Sequence, residues 1–129
     1  MSENRKKNFS QQVIIDAYGN GGFRFADMSH VGSLLCLPSG MQTWSVKEAK
    51  EITLETLKPV LDLADEIDVL MIGLGEDIAF FDAKTRTVFK QNSIIVEAVS
   101  TGAAISTYNI LLAEKRSVAA ALIAVERKK

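Results

Sequence analysis

Two glycines follow a short apolar run and could cradle a phosphate group. Gly73 and Gly75 come directly after Val69–Ile72, a run typical of a strand covered on both faces. A dinucleotide-binding turn needs a third glycine three residues later, where a helix opens, but Ile78 stands at that position. The pair therefore favours a tight strand-to-loop turn over a dinucleotide site.

A second polar segment, Ser100-Thr101-Gly102, lies where the next strand is expected to lead into a helix. Free backbone amides at a helix start attract anions, and ligands of open α/β sheets bind outside the carboxyl ends of the strands. Both loops should open on that edge of the sheet. The predicted ligand site is therefore a cleft lined by Gly73–Gly75 and Ser100–Gly102, with an anion as its ligand. The alternative is that these segments only turn strands into helices.

Three further side chains near this edge could supply polar groups. Glu97 falls in a strand predicted to be largely buried, where a carboxylate is costly unless it is paired, so we expect acid-base chemistry or, more commonly, an ion pair. The candidate partners are Arg24, Arg86 and Arg116. Tyr108 and Asn109 fall in the following helix. Tyr108 is typical of a core tyrosine with a bonded hydroxyl, and Asn109, a poor helix former, is expected to make a specific hydrogen bond.

The chain contains one histidine, His30, and one cysteine, Cys36. These counts exclude an internal disulfide, a multi-thiolate site and a histidine-based metal cluster. The surroundings of His30 predict an exposed loop side chain, whereas Cys36, within Leu34–Leu37, is expected to be a small core residue. We find no Ser-His-Asp, Cys-His or metal-ligand arrangement. The sequence therefore predicts no metal and no cofactor, and it favours a protein without enzymatic activity.

Composition predicts one folded domain. The chain has 129 residues, of which 47% are hydrophobic and 24% charged, values that suit a single globular core. Its net charge of -1 hides basic ends at Arg5–Lys7 and Arg127–Lys129, between which nine basic residues stand against fifteen acidic ones. This acidic body argues against nucleic acid as a partner. We expect basic, flexible residues 1–8, a domain at 9–126 and a basic tip at 127–129.

The ends of the chain also bear on its location. No apolar run is long enough to cross a bilayer, and the polar start lacks the apolar centre of a signal peptide, so we expect a soluble cytoplasmic protein. The basic ends leave peripheral contact with an anionic membrane as a minor alternative, because three charges at an end fall short of a polybasic cluster.

The first half of the chain, which must help to position the predicted cleft, is predicted to be rich in β-strands. Val13–Ile15 predicts a strand, Tyr18–Gly22 a turn and Phe23–Phe25 the returning strand. A further hairpin is predicted from Gly32–Leu37 and Met41–Val46, joined by the turn residues Pro38-Ser39-Gly40.

A helix is predicted next. Its apolar positions are Leu54, Leu57, Leu61 and Ala64, with Thr53 as the natural N-cap. Pro59 lies inside this pattern and removes an amide donor, so the helix must bend there or begin nearer to it.

The second half predicts strand, helix, strand, helix, strand over residues 69–125. The strands are Val69–Ile72, Ile94–Val99 and Val118–Val125. Asp82 is expected to cap the first helix of this unit, with Val88 and Phe89 facing inward and Asn92 as its left-handed stop. The second helix opens at Thr101-Gly102, and its apolar stripe is Ala104, Ile105, Tyr108, Leu111 and Leu112. Strands joined through helices pair in parallel, so the fold class is α/β.

Three segments carry a resemblance to a known family. Val96–Ala104, Thr107–Glu114 and Arg116–Ile123 resemble the Mth938-like small α/β domain family, which includes the mitochondrial complex I assembly factor 3. Earlier parts of the chain, Gly22–Phe25, Gly32–Trp44 and Leu70–Gly75, are similar to the same pattern. The resemblance implies a single three-layer domain with a mixed central sheet and, for the mitochondrial members, a role in assembling respiratory NADH dehydrogenase with no enzymatic activity assigned.

Two functional hypotheses follow. The first is a non-catalytic interaction or assembly protein with protein partners, which the resemblance and the lack of a catalytic constellation favour; self-association is open. The second is a small anionic-ligand-binding protein or enzyme that uses Gly73–Gly75 and Ser100–Gly102, with Glu97, Tyr108 or Asn109 contributing polar groups.

Overall fold

The computed structural model describes residues 8–76 and 81–126. Within them the strands are β1 (Asn8–Phe9), β2 (Ala17–Gly19), β3 (Gly22–Phe25), β4 (Met28–Val31), β5 (Ser33–Leu37), β6 (Gly40–Trp44), β7 (Val69–Gly73), β8 (Ile95–Val99) and β9 (Val118–Leu122). The helices are α1 (Lys58–Leu61), α2 (Ala83–Gln91) and α3 (Thr101–Ala113), with 3-10 helices at Ala49–Glu51 and Ala64–Glu66. The predicted basic ends and Ile78 lie outside the described residues. In residues 8–76 and 81–126, no helix combines the length and apolarity needed to cross a membrane.

Six strands form a mixed central sheet in the order β1-β6-β5-β9-β7-β8. β7 pairs in parallel with both β8 and β9, and α2 and α3 connect these strands. β5 pairs antiparallel with β6 and β9. The strand-helix-strand-helix-strand unit predicted for residues 69–125 is therefore confirmed, although its last strand ends at Leu122 and not at Val125.

The side chains of the central strands point alternately to two sides of this sheet. Leu70 of β7 faces the side covered by Val60 of α1 and Phe89 of α2. Its neighbour Met71 faces the side covered by Tyr108 of α3 and by the small sheet β2-β3-β4. Strands β5 and β9 are buried along their whole length, as continuous apolar runs covered on both faces should be. The predicted three-layer α/β fold with a mixed central sheet is confirmed.

The strand predicted at Val13–Ile15 is wrong. In the described part of the chain this segment joins no sheet, and the first strand of the small sheet is β2, a few residues later. The backbone of the segment bonds instead to side chains of α3. The Tyr108 hydroxyl donates to the Val13 carbonyl at 2.8 Å, and Asn109 bonds both the N–H and the C=O of Ile15, at 2.9 and 2.8 Å. Apolar β-branched composition alone could not show that a helix supplies the hydrogen bonds.

The small sheet contains a strand, β4, that the sequence did not reveal. Ala26 and Asp27 form the turn before it with positive φ values of 50° and 63°, which suit a two-residue hairpin but lack the glycine that usually marks one. His30, predicted to be exposed, lies in β4 and is only 6% exposed, with Nε2 3.0 Å from the Ser33 carbonyl oxygen. That prediction is wrong because the unrecognised strand carries His30 inward. Cys36 is fully buried, as predicted.

The other two hairpins of the first half follow their turn residues. Gly19 pairs with Gly22 around Asn20-Gly21, and both turn residues have positive φ. Leu37 pairs with Gly40 around Pro38-Ser39. These two turns are confirmed.

The helix predicted from Thr53 is much shorter than expected. Only α1, with Pro59 in its first turn, is α-helical, and a 3-10 helix covers Ala64–Glu66. Thr53 and Thr56 bond reciprocally: the Thr53 amide donates to Thr56 Oγ1 at 2.8 Å and the Thr56 amide donates to Thr53 Oγ1 at 3.1 Å. The start at Thr53 is wrong, and the helix begins next to its proline, where a missing N–H costs least.

Helix α2 begins at the predicted N-cap but ends differently. Asp82 is the N-cap, and its carboxylate accepts from Thr85 Oγ1 at 3.2 Å. Phe89 is buried as predicted and Val88 partly so. The left-handed residue after the helix is Ser93, with φ of 64°, and not Asn92, which has φ of -100°.

Candidate functional site

The two predicted loops meet at the carboxyl edge of the sheet, and Thr101 joins them. The Thr101 amide donates to the Gly75 carbonyl at 2.8 Å, and the Gly75 amide donates to Thr101 Oγ1 at 3.0 Å. The same hydroxyl donates to the Ile123 carbonyl at 2.7 Å. Thr101 is 0% exposed. One buried side chain therefore links the segments that follow β7 and β9 to the start of α3.

The glycines of this edge serve close packing. A Cβ on Gly73 would lie 2.8 Å from the Thr101 Cα, closer than real Cβ atoms approach a backbone. Gly75 has φ of 105°, a conformation that L side chains rarely adopt. Gly73 lets the start of α3 sit against the end of β7, and Gly75 turns the chain away from the sheet. Both roles match the tight turn favoured by the sequence.

A shallow cavity of about 340 Å³ opens beside this junction. Its lining residues are Tyr18, Gly75, Glu76, Ser100, Gly102, Ala103, Ser106 and Val125. It thus brings together Gly75, Ser100 and Gly102 of the predicted site. The Ser100 hydroxyl is engaged as the N-cap of α3, accepting from the Ala103 amide at 3.3 Å.

The walls of this cavity are poorly suited to a strong anion site. Glu76 brings a carboxylate to the lining, and a like charge opposes a bound anion. Tyr18 closes over Gly102 so tightly that a Cβ there would lie 2.3 Å from the phenol oxygen. Burial raises the pKa of Tyr18, so its hydroxyl stays protonated near neutral pH. A second open cavity of about 450 Å³ shares Gly75, Glu76 and Val125 and also carries Lys47 and Lys50.

Tyr108 and Asn109 act in the fold at some distance from this junction. Tyr108 is 0% exposed, and burial raises the pKa of its hydroxyl, which donates to Val13. The side-chain amide of Asn109 accepts from the Ile15 N–H and donates to the Ile15 carbonyl. The predictions of a bonded core tyrosine and of a specific asparagine hydrogen bond are confirmed. Together the two side chains form a clamp that holds residues 13–15 against α3.

Glu97 is exposed, so the prediction of a buried carboxylate is wrong. The reason is its place in the sheet, because β8 is an edge strand and its outward face is not fully covered. Two of the three candidate partners bond elsewhere: Arg24 donates to Ser29 Oγ at 2.7 Å, and Arg86 Nη1 donates to the Val96 carbonyl at 2.6 Å.

Several lining residues were not predicted. Tyr18 lies beside the cavity because the turn that follows it is bonded to the segment after β9: the Asn20 and Gly21 amides donate to the Glu126 and Val125 carbonyls. The glycines predicted this turn but not the segment that it contacts. The role of Thr101 in joining the two loops had a local signal, since Thr101 directly follows the N-cap Ser100.

Over residues 8–76 and 81–126, His, Cys, Asp and Glu side chains form no group of three or more that could hold a metal ion.

The sequence is similar to a family of unknown function and to proteins that are named as assembly factors. Residues 15–123 match the family described as a protein of unknown function, DUF498/DUF598. An uncharacterised protein of Rhodobacter capsulatus is 33% identical over 119 residues, covering 92% of this chain and 90% of that protein. A Xenopus tropicalis protein named NADH dehydrogenase (ubiquinone) 1 alpha subcomplex assembly factor 3 is 30% identical over 118 residues, 92% of this chain. This chain spans 64% of that relative's length.

Solved structures agree with these matches. A crystal structure described as an outer membrane protein from Bartonella henselae superimposes with a TM-score of 0.87 at 47% identity, covering 92% of this chain and 99% of that one. The solution structure of a Bordetella pertussis protein described as a Mth938-like domain has a TM-score of 0.77 at 24% identity and covers 91% and 89% of the two chains. The second likeness supports the fold, and the resemblance to Mth938-like proteins is confirmed.

Proposed function

Because this chain belongs to the DUF498/DUF598 family of proteins of unknown function, we propose that it is a non-catalytic interaction protein that takes part in assembling respiratory NADH dehydrogenase. The observation that carries the proposal is the similarity along 92% of the chain to a relative named as an assembly factor for that enzyme. The named role belongs to the longer relative, and its extension to this chain is our proposal.

The geometry of the sheet edge supports a binding protein over an enzyme. Two amides that an anionic substrate could use at this edge, those of Gly75 and Thr101, donate to groups of the protein itself. Their partners are buried, so a ligand would have to break these bonds before it could use the amides. These two amides therefore serve the fold, and we propose that the protein partner binds another surface.

The proposal includes a location and a class of partner. We propose a cytoplasmic location and protein partners. Nucleic acid is a poor candidate partner, because the chain between its basic ends has fifteen acidic and nine basic residues and would repel it. The domain boundaries at residues 9 and 126 also stay a prediction, as does membrane contact through the ends.

A deletion strain tests the proposed function. We expect loss of the gene to lower the amount of fully assembled NADH dehydrogenase on native gels, and a plasmid carrying the wild-type chain to restore it. A plasmid expressing an unfolded variant serves as the matched negative control. Unchanged assembly in the deletion strain, at normal growth and under high respiratory demand, would refute the proposal.

A second candidate function rests on the cavity of about 340 Å³ beside Ser100 and Gly102. Here the protein binds a small anionic metabolite that contacts Gly75, Ser100 and Gly102, the predicted site residues that line the cavity. Thermal-shift measurements with inorganic phosphate, nucleotides and dicarboxylates test it, since a ligand at one hundred times its Kd raises stability by about 2.7 kcal/mol. Replacing Ser106 by Tyr fills the cavity and should abolish any shift; a shift that persists in this variant arises elsewhere.

A further inference from the structure

Strand β8 (Ile95–Val99) forms an edge of the central sheet. It pairs with β7 on one side, and within residues 8–76 and 81–126 no strand pairs with its other side. The Ile95 amide donates to the Asp68 carbonyl, and the Val99 carbonyl accepts from the Leu74 amide, so these residues direct their peptide groups toward β7. Because peptide groups alternate along a strand, those of Val96 and Ala98 point outward. The edge therefore presents the outward peptide groups that an added strand would need.

One arginine covers part of this edge. Arg86 Nη1 donates to the outward-pointing carbonyl of Val96 at 2.6 Å, and its guanidinium lies 5.4 Å from the centre of the Phe81 ring. Charged side chains at edge strands are a common protection against unwanted pairing. This cover is a single side chain on the surface of α2, and an incoming backbone N–H can replace it on the same carbonyl.

On one face of the sheet, β8 presents a carboxylate between two apolar side chains. Ile95 is 62% exposed, Glu97 is exposed and Val99 is partly exposed, and these alternate residues share one face. Since the peptide groups of Glu97 point toward β7, Glu97 would face an antiparallel added strand at a non-hydrogen-bonded position, where side chains directly opposite are closest. An opposite charge there is favourable and a like charge unfavourable.

From this pattern we infer that the outer edge of β8 binds an extended segment of a partner protein by antiparallel strand addition. The segment has a lysine or arginine opposite Glu97, with apolar residues two positions before and after it opposite Val99 and Ile95. A second copy of β8 centred on the same residue would place Glu97 against Glu97 and is disfavoured. The inference deepens the proposed function by naming the chemistry of the assembly partner, and it rests on that proposal.

Titration with synthetic peptides tests the inference on the full chain. The probe is a ten-residue peptide with Val-Thr-Lys-Thr-Val at its centre, and the matched peptide has Glu in place of Lys. We expect the amide NMR signals of Val96 and Ala98 to move most, with a Kd about fivefold lower for the lysine peptide. Glu97→Lys should reverse the preference, and Arg86→Ala should bind both peptides about threefold more tightly because it frees the Val96 carbonyl.

Glu55→Lys is the matched control, because it makes the same charge change at an exposed residue outside β8 and should keep the wild-type preference. The inference is overturned if neither peptide moves these signals at millimolar concentration, if Glu97→Lys keeps the wild-type preference, or if the two signals move on protein concentration alone, which would indicate β8 pairing between copies. The titration contains no NADH dehydrogenase. If the titration fails but the deletion strain shows an assembly defect, only strand addition at β8 is refuted. If the peptides bind but assembly is normal in the deletion strain, only the assembly role is refuted.

Discussion

Replacing Thr101 by valine tests the description of the sheet edge as a structural junction. Valine has nearly the same shape as threonine but lacks the hydroxyl. The substitution removes the bond from the Gly75 amide at 3.0 Å and the bond to the Ile123 carbonyl at 2.7 Å. Both bonds are buried, so a donor and an acceptor are left without these partners in the protein interior.

The expected cost follows from these two groups. A buried polar group that loses its partner costs about 1–3 kcal/mol, so we expect Thr101→Val to lower the free energy of unfolding by about 3 kcal/mol. At about 2.1 cal/mol/K of unfolding entropy per residue, a chain of 129 residues loses about 4 °C in Tm per kcal/mol, or about 11 °C in total. Thr101→Ser keeps the hydroxyl and loses one methyl group, which costs only about 1 kcal/mol.

Urea unfolding followed by circular dichroism, together with calorimetry, measures both variants. The ordering matters more than either value: valine must be clearly less stable than serine. If the valine variant were as stable as the wild type, or if serine were the worse of the two, the hydroxyl would not join the loops and the edge would be free for another use.

Three further predictions concern the core. Tyr108→Phe keeps the ring but leaves the Val13 carbonyl without its 2.8 Å bond, and it should cost about 1–2 kcal/mol in urea unfolding and speed hydrogen exchange in residues 13–16; unchanged exchange would contradict the clamp. Gly73→Ala should lower Tm more than Gly32→Ala does. The Cβ added at position 73 meets the α3 backbone, whereas the Cβ added at position 32 meets open space and the only strain there comes from the positive φ. Burial raises the pKa of the Cys36 thiol, so above about pH 8.5 the unfolded chain loses that proton first and stability falls as pH rises. Cys36→Ala should lose this decline between about pH 8.5 and 10, and chemical denaturation at several pH values would show it.

The second half of the fold was predictable because its signals are local. Val69–Ile72 has the composition of a buried strand, and Asp82 and Ser100 stand at the N-caps of their helices. The apolar stripe predicted for α3 contains its buried residues Ala104, Ile105 and Tyr108. Each of these features depends on residues that are neighbours along the chain or one helical turn apart. The parallel pairing then follows from the connecting helices.

The first half was less predictable because distant residues decide it. Val13–Ile15 has the composition of a strand, but Tyr108 and Asn109, almost a hundred positions later, bond its backbone. The hairpin that buries His30 turns on Ala26-Asp27 at positive φ without a glycine to mark it.

The candidate site shows the same division between local and distant signals. That Gly73–Gly75 and Ser100–Gly102 meet was predictable from the carboxyl ends of parallel strands. Their mutual hydrogen bonding was not, since it depends on how closely the backbones of Gly75 and Thr101 approach and, for the bond to Oγ1, on the rotamer of Thr101. Glu97 was misplaced because sequence gives the elements but not which strand ends up at the edge of the sheet.

The most direct test of the assembly role is the activity of NADH dehydrogenase in membranes of the deletion strain, divided by the amount of assembled complex on native gels. An assembly protein changes how much complex is built and leaves the finished complex intact. We therefore predict a lower amount with unchanged NADH oxidation per complex, and recovery of the amount when the wild-type chain is restored. A normal amount of complex, whether its activity per complex is normal or lower, would contradict the assembly role.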